Sequence, residues 1–331
     1  MTSRNGDAGS AAALTLPSSA DVAAARENIR GIALRTPLLK LNADAPGVNI
    51  FLKLENLQPW GSFKIRPAVN VLKAMDPQRL KRGVLTASAG NFGQGLAFAA
   101  RQIGVPATVV VPDAAAATKV SALKELGAKV IRLSFDEWWK VLTRRGFPGE
   151  DGVFIHPVAE SAVIAGNATI GAEIIEDQLE IDAVVVPFGG GGLMCGIGSV
   201  MRRLRPGARL IVVESEAAQP AAAALQSGRP VRVPHRQSFV DGMGSTTVLE
   251  DMWPMVREVV DQAVCASFVQ IAEAVRLLAV RHRVIAEAAG AASVAAAMAG
   301  QAGGGNVVCI ISGGNIDAGK LGAILNGEIP F

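Results

Sequence analysis

The sequence has no tyrosine, and aromatic residues account for only 5% of its 331 positions. Charged residues are also scarce at 18%, and the net charge of +3 is spread along the chain without a basic block. Nucleic-acid surfaces usually combine clustered Lys and Arg with aromatic side chains, so this composition argues against a nucleic-acid partner. The three cysteines are too widely spaced for a disulfide framework, which indicates a reducing compartment.

The sequence also lacks an apolar run long enough to cross a membrane. The longest candidate, residues 286–300, is interrupted by Glu287. The first 19 residues have no basic flank followed by a solid apolar segment, so they do not match a secretory signal. We therefore expect a cytoplasmic protein with no membrane partner.

Half of the residues are hydrophobic, many of them alanine, which supplies ample material for a core. From residue 83 onward, short apolar strands alternate with helical patterns. Strands are predicted at 84–87, 107–111, 129–133 and 153–156, with helices at 92–103, 117–126 and 136–144. Continuous apolar strands such as TVVVP are typical of parallel strands covered on both faces. The fold class is therefore predicted to be α/β.

The alternation of strands and helices resumes after residue 157. Strands are predicted at 183–187, 210–213 and 307–311, with helices at 163–179, 197–204, 218–226, 268–281 and 287–299. A helix at 21–32 and a strand at 49–54 near the N-terminus complete this second unit. We predict two doubly wound parallel-sheet domains, a large one of residues 1–82 and 157–331 and a small one of residues 83–156.

Three turns rich in glycine and small polar residues each follow a predicted strand. Two of them are Ser88-Ala89-Gly90-Asn91 and Ser312-Gly313-Gly314-Asn315. The longest turn consists of four glycines and a leucine: Gly189, Gly190, Gly191, Gly192 and Leu193. Backbone N–H groups in such a run, beside a helix N-terminus, favour a phosphate. Because carboxyl ends of parallel strands share one edge, the three turns predict a ligand site.

A lysine in a mostly apolar segment is the remaining chemical candidate. Lys64 follows Gly61, Ser62 and Phe63 and precedes Ile65-Arg66. A desolvated lysine has a lowered pKa, and its neutral amine can form a Schiff base. Spacing alone leaves open the alternative of an ordinary surface lysine.

With these four segments in this order and spacing, the sequence resembles the fold-type II family of pyridoxal-5′-phosphate enzymes. The similarity is greatest to the serine/threonine dehydratases and serine racemases, and it covers residues 20–325. The resemblance implies the tryptophan-synthase-β-like fold, with the cofactor in the cleft between the two domains. It also implies a homodimer that acts on a small amino acid.

The resemblance assigns a role to each motif. Lys64 is expected to bind the cofactor covalently, with Phe63 and Asn91 flanking the ring and Ser312 facing the pyridine nitrogen. The glycine run and Leu193 are expected to hold the phosphate through backbone N–H groups. The substrate carboxylate is expected to lie at the turn after strand 84–87, against Ser88, Ala89, Gly90, Asn91 and Phe92.

The implied activity is that of a dehydratase, or ammonia-lyase, which converts an L-β-hydroxy amino acid to a 2-oxo acid and ammonia. Trp60 and Phe92 stand where smaller or polar residues are common in the family. They favour a substrate at least as large as threonine, such as the β-aryl serine phenylserine. Ala89 stands where the racemases carry a serine that delivers a proton, so negligible racemase activity is expected.

The metal site of some relatives is only half matched. Glu214 corresponds to the first carboxylate and Ala218 offers a carbonyl, but Pro220 replaces the second acid. Because Mg²⁺ requires several oxygen ligands, we expect no divalent metal site, while a monovalent cation remains compatible with the sequence.

Other functions stay open at this point. A racemase and a β-replacement enzyme have the same fold, and a non-catalytic cofactor-binding protein would keep the same turns. A nicotinamide-dependent oxidoreductase is supported by the glycine run with Glu214 about twenty residues later. The GxGxxG spacing fails because Met194 stands at the last glycine position, and this alternative leaves Lys64 unexplained.

Overall fold

Two β-sheets organise the residues described by the computed structural model, which are 13–43, 45–88, 90–178 and 180–330. The strands are β1 (Leu38–Lys40), β2 (Val48–Lys53), β3 (Val84–Ala87), β4 (Ala107–Pro112), β5 (Lys129–Leu133), β6 (Val153–Phe154), β7 (Ala183–Pro187), β8 (Arg209–Ser215), β9 (Gln262–Ala266) and β10 (Gly305–Ile310). The smaller sheet has the order β5-β4-β3-β6, and the larger has the order β1-β2-β10-β7-β8-β9.

Helices connect and cover these strands. They are α1 (Ser19–Ile29), α2 (Ile65–Lys73), α3 (Pro77–Leu80), α4 (Asn91–Ile103), α5 (Ala117–Glu125), α6 (Phe135–Arg144), α7 (Ser161–Asp177), α8 (Gly192–Leu204), α9 (Pro220–Ser227), α10 (Trp253–Val259), α11 (Phe268–Leu277), α12 (Ala288–Met298) and α13 (Ala318–Leu325). None of the helices in the described part of the chain combines the length and apolarity that a membrane span requires.

Parallel pairing dominates both sheets, as the apolar strands predict. All three pairs of the smaller sheet are parallel, and every residue of β3 is buried. In the larger sheet, β2, β10, β7, β8 and β9 pair in parallel, and only the edge strand β1 is antiparallel among the described strands. The prediction of an α/β fold built on parallel sheets is confirmed.

Helix α8 differs from its predicted bounds in a way that matters for function. It begins at Gly192 rather than at residue 197, and Gly191 is its N-cap with a φ of 89°. The first N–H groups of a helix have no partner within it. The unpaired donors of α8 therefore belong to the glycine run itself.

The alanine-rich helix α12 lies against the larger sheet, and its residues Ala288 to Ala297 are all buried. A Cβ added to Gly290 would lie 2.5 Å from the carbonyl oxygen of Gly313. Only a glycine permits this approach, which brings the start of α12 next to the turn after β10.

Helix α2 packs into the hydrophobic cluster of the smaller sheet. Ile65 and Leu72 of α2 share this cluster with Val84, Leu96 and Val109. Residues before 83 therefore contribute to the packing of the smaller sheet. The division at residues 82/83 and 156/157 remains a prediction.

Candidate active site

One cavity of about 400 Å³ lies where strands of both sheets end. Turns after β3, β7 and β10 all contribute to its wall, as expected for a ligand site at the carboxyl edge of parallel strands. The predicted site residues within the described part of the chain all line this cavity: Phe63, Lys64, Ser88, Gly90, Asn91, Phe92, Gly189, Gly190, Gly191, Gly192, Leu193 and Ser312. Ala89, the remaining one, lies outside the described residues.

Lys64 is the N-cap of α2, and its amine extends into the cavity. The Nζ atom lies 3.4 Å from the carbonyl oxygen of Pro157 and 4.8 Å from the ring centre of Phe63. Burial lowers the pKa of this amine to about 8, although the carboxyl group of Glu287 opposes the shift. The cavity therefore contains an amine that is readily neutral.

The segment before Lys64 is held against the turn after β10. The N–H of Phe63 donates to the carbonyl oxygen of Ser312 at 3.0 Å, and the N–H of Gly314 donates to that of Gly61 at 2.8 Å. Gly61 has a φ of 69°, and a Cβ there would lie 2.5 Å from Oδ1 of Asn315. These bonds join two segments that are far apart in sequence at the position of the lysine.

Behind Lys64, four charged side chains form a buried network. Arg66 donates to both oxygens of Glu55 at 2.8 Å, and to the two oxygens of Glu173 at 2.6 and 2.8 Å. The amine of Lys53 contacts Glu173 at 2.7 Å. The side chains of Lys53, Arg66 and Glu55 have no exposed area. The network anchors the start of α2 and with it the backbone of Lys64.

The glycine cradle, residues Gly189–Gly192, is closely packed against neighbouring side chains. A Cβ on Gly190 would lie 2.8 Å from Val158, and one on Gly191 would lie 2.9 Å from Val256. A larger residue at either position would collide with these valine side chains. The backbone N–H groups and the positive end of the helix dipole favour a phosphate here.

A third turn joins β3 to α4, with Gly90 as the N-cap of the helix. A Cβ on Gly93 would lie 2.2 Å from the carbonyl oxygen of Ser88, so the helix starts directly over the turn. Asn91 donates to Glu287 at 2.7 Å and accepts from Asn315 at 2.9 Å. The turns after β3 and β10 are thus linked through side chains.

Comparison with known families agrees with this geometry. Residues 29–313 match the family model described as "Pyridoxal-phosphate dependent enzyme", which is most of the chain. The chain belongs to this family. The predictions of the family and of a pyridoxal-phosphate enzyme are confirmed, and the nicotinamide alternative is set aside.

Curated relatives of the family add detail. The chain is 38% identical over 312 residues to the L-threonine ammonia-lyase of Thermotoga maritima, covering 92% of this chain and 77% of that one. It is 33% identical over 314 residues to a catabolic L-threonine dehydratase of Staphylococcus aureus, covering 92% of this chain and 91% of that one. These relatives are lyases, and the lyase class predicted for this chain is confirmed.

Solved structures of the family have the same fold. Maize serine racemase superposes with a TM-score of 0.87 at 29% identity, covering 95% of this chain and 98% of that one. The processed form of threonine deaminase isoform 2 from Solanum lycopersicum superposes with a TM-score of 0.84 at 29% identity, covering 95% of this chain and 90% of that one. The fold-type II prediction is confirmed by these superpositions.

The residues present fit pyridoxal phosphate. The cradle and the start of α8 offer backbone donors for its phosphate, and the Lys64 amine is available for its aldehyde. Asn167, beside the cradle, is buried with neither side-chain amide atom hydrogen-bonded. Its Nδ2 lies 3.7 Å from the position that a Cβ on Gly192 would occupy. Unpaired polar groups around a cradle of this kind are suited to an anionic cofactor.

Glu287 is a cavity residue that the motifs did not identify. It is the N-cap of α12, and its carboxyl group accepts from Asn91. Burial raises the pKa of this carboxyl group to about 7, against the lowering effect of the Asn91 hydrogen bond. The available signal was an acidic residue interrupting an apolar run, since such a residue is costly to bury without a purpose.

Other lining residues lie outside the four motifs: Pro112, Lys119, Phe135, Trp138, Pro157, Val158, Pro187, Asp241, Gly242 and Ala289. Lys119 and Lys320 both contact Asp241 at 3.4 Å. The expectation that Trp60 shapes the pocket is wrong. Of the residues that the structure describes, those lining the cavity do not include Trp60, which packs against the cluster of the smaller sheet instead.

Glu214 has a structural partner rather than a metal-like environment. Its two carboxyl oxygens accept from the N–H groups of Ala221 and Ala222 at 2.7 and 2.9 Å, at the start of α9. Burial raises the pKa of Glu214 to about 7 despite these hydrogen bonds. Within the described ranges, no three His, Cys, Asp or Glu side chains cluster in a way that could hold a metal ion.

Proposed function

We propose that the protein is a pyridoxal-phosphate dependent dehydratase that removes water from an L-β-hydroxy amino acid of the threonine and serine class. Hydrolysis of the enamine that this elimination leaves would then give a 2-oxo acid and ammonia. The observation that carries the proposal is that one cavity gathers the Lys64 amine, the glycine cradle and the turn at 88–91. Relatives named threonine ammonia-lyase and threonine dehydratase, at 33–38% identity, support the same reaction class.

Groups from all three turns would hold the cofactor. The glycine cradle and Leu193 would bind its phosphate through backbone N–H groups, and Ser312 would donate to its pyridine nitrogen. Phe63 and Asn91 would flank its ring. Pyridoxal phosphate, when bound, draws electron density away from the α-carbon of the substrate and makes the α-proton removable.

Lys64 is the residue to which we assign the removal of that proton. Burial lowers the pKa of its amine to about 8, so a large fraction is neutral near that pH. A base whose pKa lies near the working pH both accepts and returns a proton effectively. The Nζ atom would therefore take the α-proton, and the return of a proton to the β-hydroxyl group would let that group leave as water.

The start of α4 would orient the substrate. Ser88, Gly90, Asn91 and Phe92 surround the N-terminus of this helix, where backbone N–H groups favour the substrate carboxylate. Ala89 in the same turn has no proton to deliver to the opposite face of the substrate. Since a positioned acid contributes about 10²–10⁴-fold, we propose elimination rather than racemisation.

The side chain of the substrate is proposed to be at least as large as that of threonine, with β-aryl serines included. Phe92 supports an apolar pocket, because it is a lining residue whose ring, packed in the cluster of the smaller sheet, has its centre 5.5 Å from the Lys64 amine. Each methylene buried there would contribute about 0.8 kcal/mol. A homodimer, a cytoplasmic location and a monovalent cation are further proposals that rest on the sequence alone.

Ammonia release from L-threonine, L-serine and threo-β-phenylserine by the purified holoenzyme tests the proposal. We expect 2-oxo acid and ammonia in equal amounts, with L-serine the poorest of the three substrates. Chiral chromatography of the unreacted amino acid should show negligible D-isomer. Racemisation without ammonia, or no reaction with any of the three, would overturn the assignment.

A further inference from the structure

Two aromatic side chains line the outer part of the cavity. Phe135 and Trp138 belong to the first turn of α6, and their ring centres are 5.6 Å apart. Phe135 is 63% exposed although it lies at a cavity wall. In a chain with only 5% aromatic residues, this placement needs a physical reason.

The position of the two rings is fixed by the local structure. The Oγ atom of Ser134 caps α6 by accepting from the N–H of Glu137. Residues three apart on a helix lie on the same face, so Phe135 and Trp138 point to one side. The indole N–H of Trp138 donates to the carbonyl oxygen of Val110 at 3.2 Å, which holds its ring in place. The wall is therefore a prearranged apolar surface.

The charges around the cavity argue against an acidic or basic substrate side chain. Lys119 lines the cavity, but Asp241 lies 3.4 Å from its amine and lines the cavity too. Glu287 adds a second carboxyl group. A negatively charged side chain would meet these two acids, and the Lys119 amine already has a carboxylate partner in Asp241, which it shares with Lys320. A positively charged side chain would compete with Lys119 for the Asp241 carboxylate.

We propose that Phe135 and Trp138 form the subsite for the β-substituent of the substrate, and that this subsite selects an aryl group over a methyl group. Aromatic pairs gain from offset or edge-to-face contact in addition to burial. A third ring placed against Phe135 would also cover its exposed surface. The assignment rests on the proposed function, since it concerns the substrate of the same cavity.

Binding of L-phenylalanine and L-alanine to the holoenzyme tests the subsite without any turnover. Neither amino acid has a β-hydroxyl group to eliminate, and they differ only by the phenyl ring. Dissociation constants can be measured from the absorbance change of the bound cofactor. We expect L-phenylalanine to bind about tenfold more tightly than L-alanine.

Variants of Phe135 provide the decisive comparison. Phe135→Ala should reduce this preference to about twofold, and Phe135→Leu should retain an intermediate preference. Leu204→Ala is the matched control, because Leu204 is likewise an exposed apolar side chain on a helix, α8, and is not among the described residues lining the cavity. It should keep the wild-type preference.

The outcomes separate this inference from the proposed function. An unchanged preference in Phe135→Ala, or an equal loss in Leu204→Ala, would overturn the subsite even if the enzyme releases ammonia from threonine. An aryl preference that depends on Phe135 in a protein that releases no ammonia would support the subsite and overturn the dehydratase assignment.

Discussion

Two buried glutamates, one in the network around Arg66 and one in the cavity, show how differently one side chain can behave in one protein. Glu173 pairs with Arg66, two residues after the lysine, and Glu287 lines the cavity into which the lysine amine extends. Burial acts to raise the pKa of both carboxyl groups. For Glu173, hydrogen bonds and charges from Arg66 and Lys53 outweigh burial, so its pKa is lowered. For Glu287, the neutral Asn91 amide does not outweigh burial, and the pKa rises to about 7.

This difference in pKa distinguishes the structural network around Arg66 from the reactive cavity that contains Glu287. Behind Lys64, Arg66 holds two carboxylates, and their proximity raises the pKa of its guanidinium in spite of burial. These groups keep their charges and fix the backbone. In front of Lys64, the amine and the Glu287 carboxyl group have pKa values of about 8 and 7, so both can change protonation near neutrality. Groups of this kind concentrate at functional sites.

The largest expected effect comes from removing the reactive amine. Lys64→Ala should lower turnover by at least about 10³-fold, because no other group is assigned to remove the α-proton. It should also abolish the visible absorbance of the bound cofactor. Its free energy of unfolding should change by less than about 1 kcal/mol, because the amine makes one long hydrogen bond, 3.4 Å to Pro157, and two weak aromatic contacts at 4.8 and 5.5 Å. Retained turnover in a steady-state assay would remove Lys64 from the mechanism.

Two residues further on, truncation of Arg66 should mainly lower the stability of the protein, whereas truncation of Lys64 should mainly lower turnover. Arg66→Met leaves Glu55 and Glu173 buried without their main partner, which costs about 3–5 kcal/mol. Urea unfolding of the purified protein measures this loss, with Lys64→Ala as the control. A change within about 1 kcal/mol would show that the network contributes little to stability.

Most of the fold can be predicted from the sequence, because each strand or helix is indicated by the pattern of apolar residues within it. The apolar strands β3, β5 and β7 were predicted with their observed bounds, since buried parallel strands are continuous apolar runs. Helix α2 was not predicted, although it holds the network behind Lys64. The polar residues Arg66 and Asn70 are buried on this helix, so the sequence does not show the alternation of apolar buried and polar exposed positions that identifies a helix.

Only those site residues that belong to sequence motifs could be predicted. Lys64 and the glycine cradle stand in recognisable turns, and the structure brings them to one cavity. Phe135 and Asp241 come from a helix start and a loop without a motif. Only the packing of the two sheets brings them to the cavity, and sequence periodicity does not describe that packing.

The next prediction applies one substitution to both glutamates. Glu173→Gln removes a charge that Arg66 and Lys53 need and should destabilise the protein by about 3 kcal/mol at pH 8. Glu287→Gln removes a charge that burial disfavours and should stabilise the protein, or leave it unchanged, at the same pH. Thermal unfolding of the two variants in parallel checks the signs. If both substitutions destabilise the protein, or both stabilise it, the environments of Glu173 and Glu287 do not differ as described.

The pH dependence of stability should reveal Glu287 directly. Its pKa is about 7 in the folded protein and near 4.5 in the unfolded chain, so the folded state binds more protons between these values. Stability contributed by this group is therefore present at low pH and is lost as the pH rises through this window. The loss amounts to about 3 kcal/mol at most. Unfolding curves of wild type and Glu287→Gln should converge near pH 4.5 and diverge towards pH 8, and parallel curves would contradict this.

The smallest effect is expected at the ion pair across the mouth of the cavity. The Lys119 and Asp241 side chains are 29% and 45% exposed, and their charged atoms are 3.4 Å apart. Exposed pairs contribute about 0–1 kcal/mol and are screened by salt, unlike the buried contacts of Glu173. Asp241→Asn should therefore destabilise by less than about 1 kcal/mol at low salt and by nothing measurable in 1 M NaCl. Glu173→Gln, measured beside it, should lose the same free energy at both salt concentrations. A large loss of stability in Asp241→Asn that persists in 1 M NaCl would mean that the Lys119–Asp241 pair is as shielded from solvent as the buried contacts of Glu173. The contrast between the cavity and the buried network would then fail.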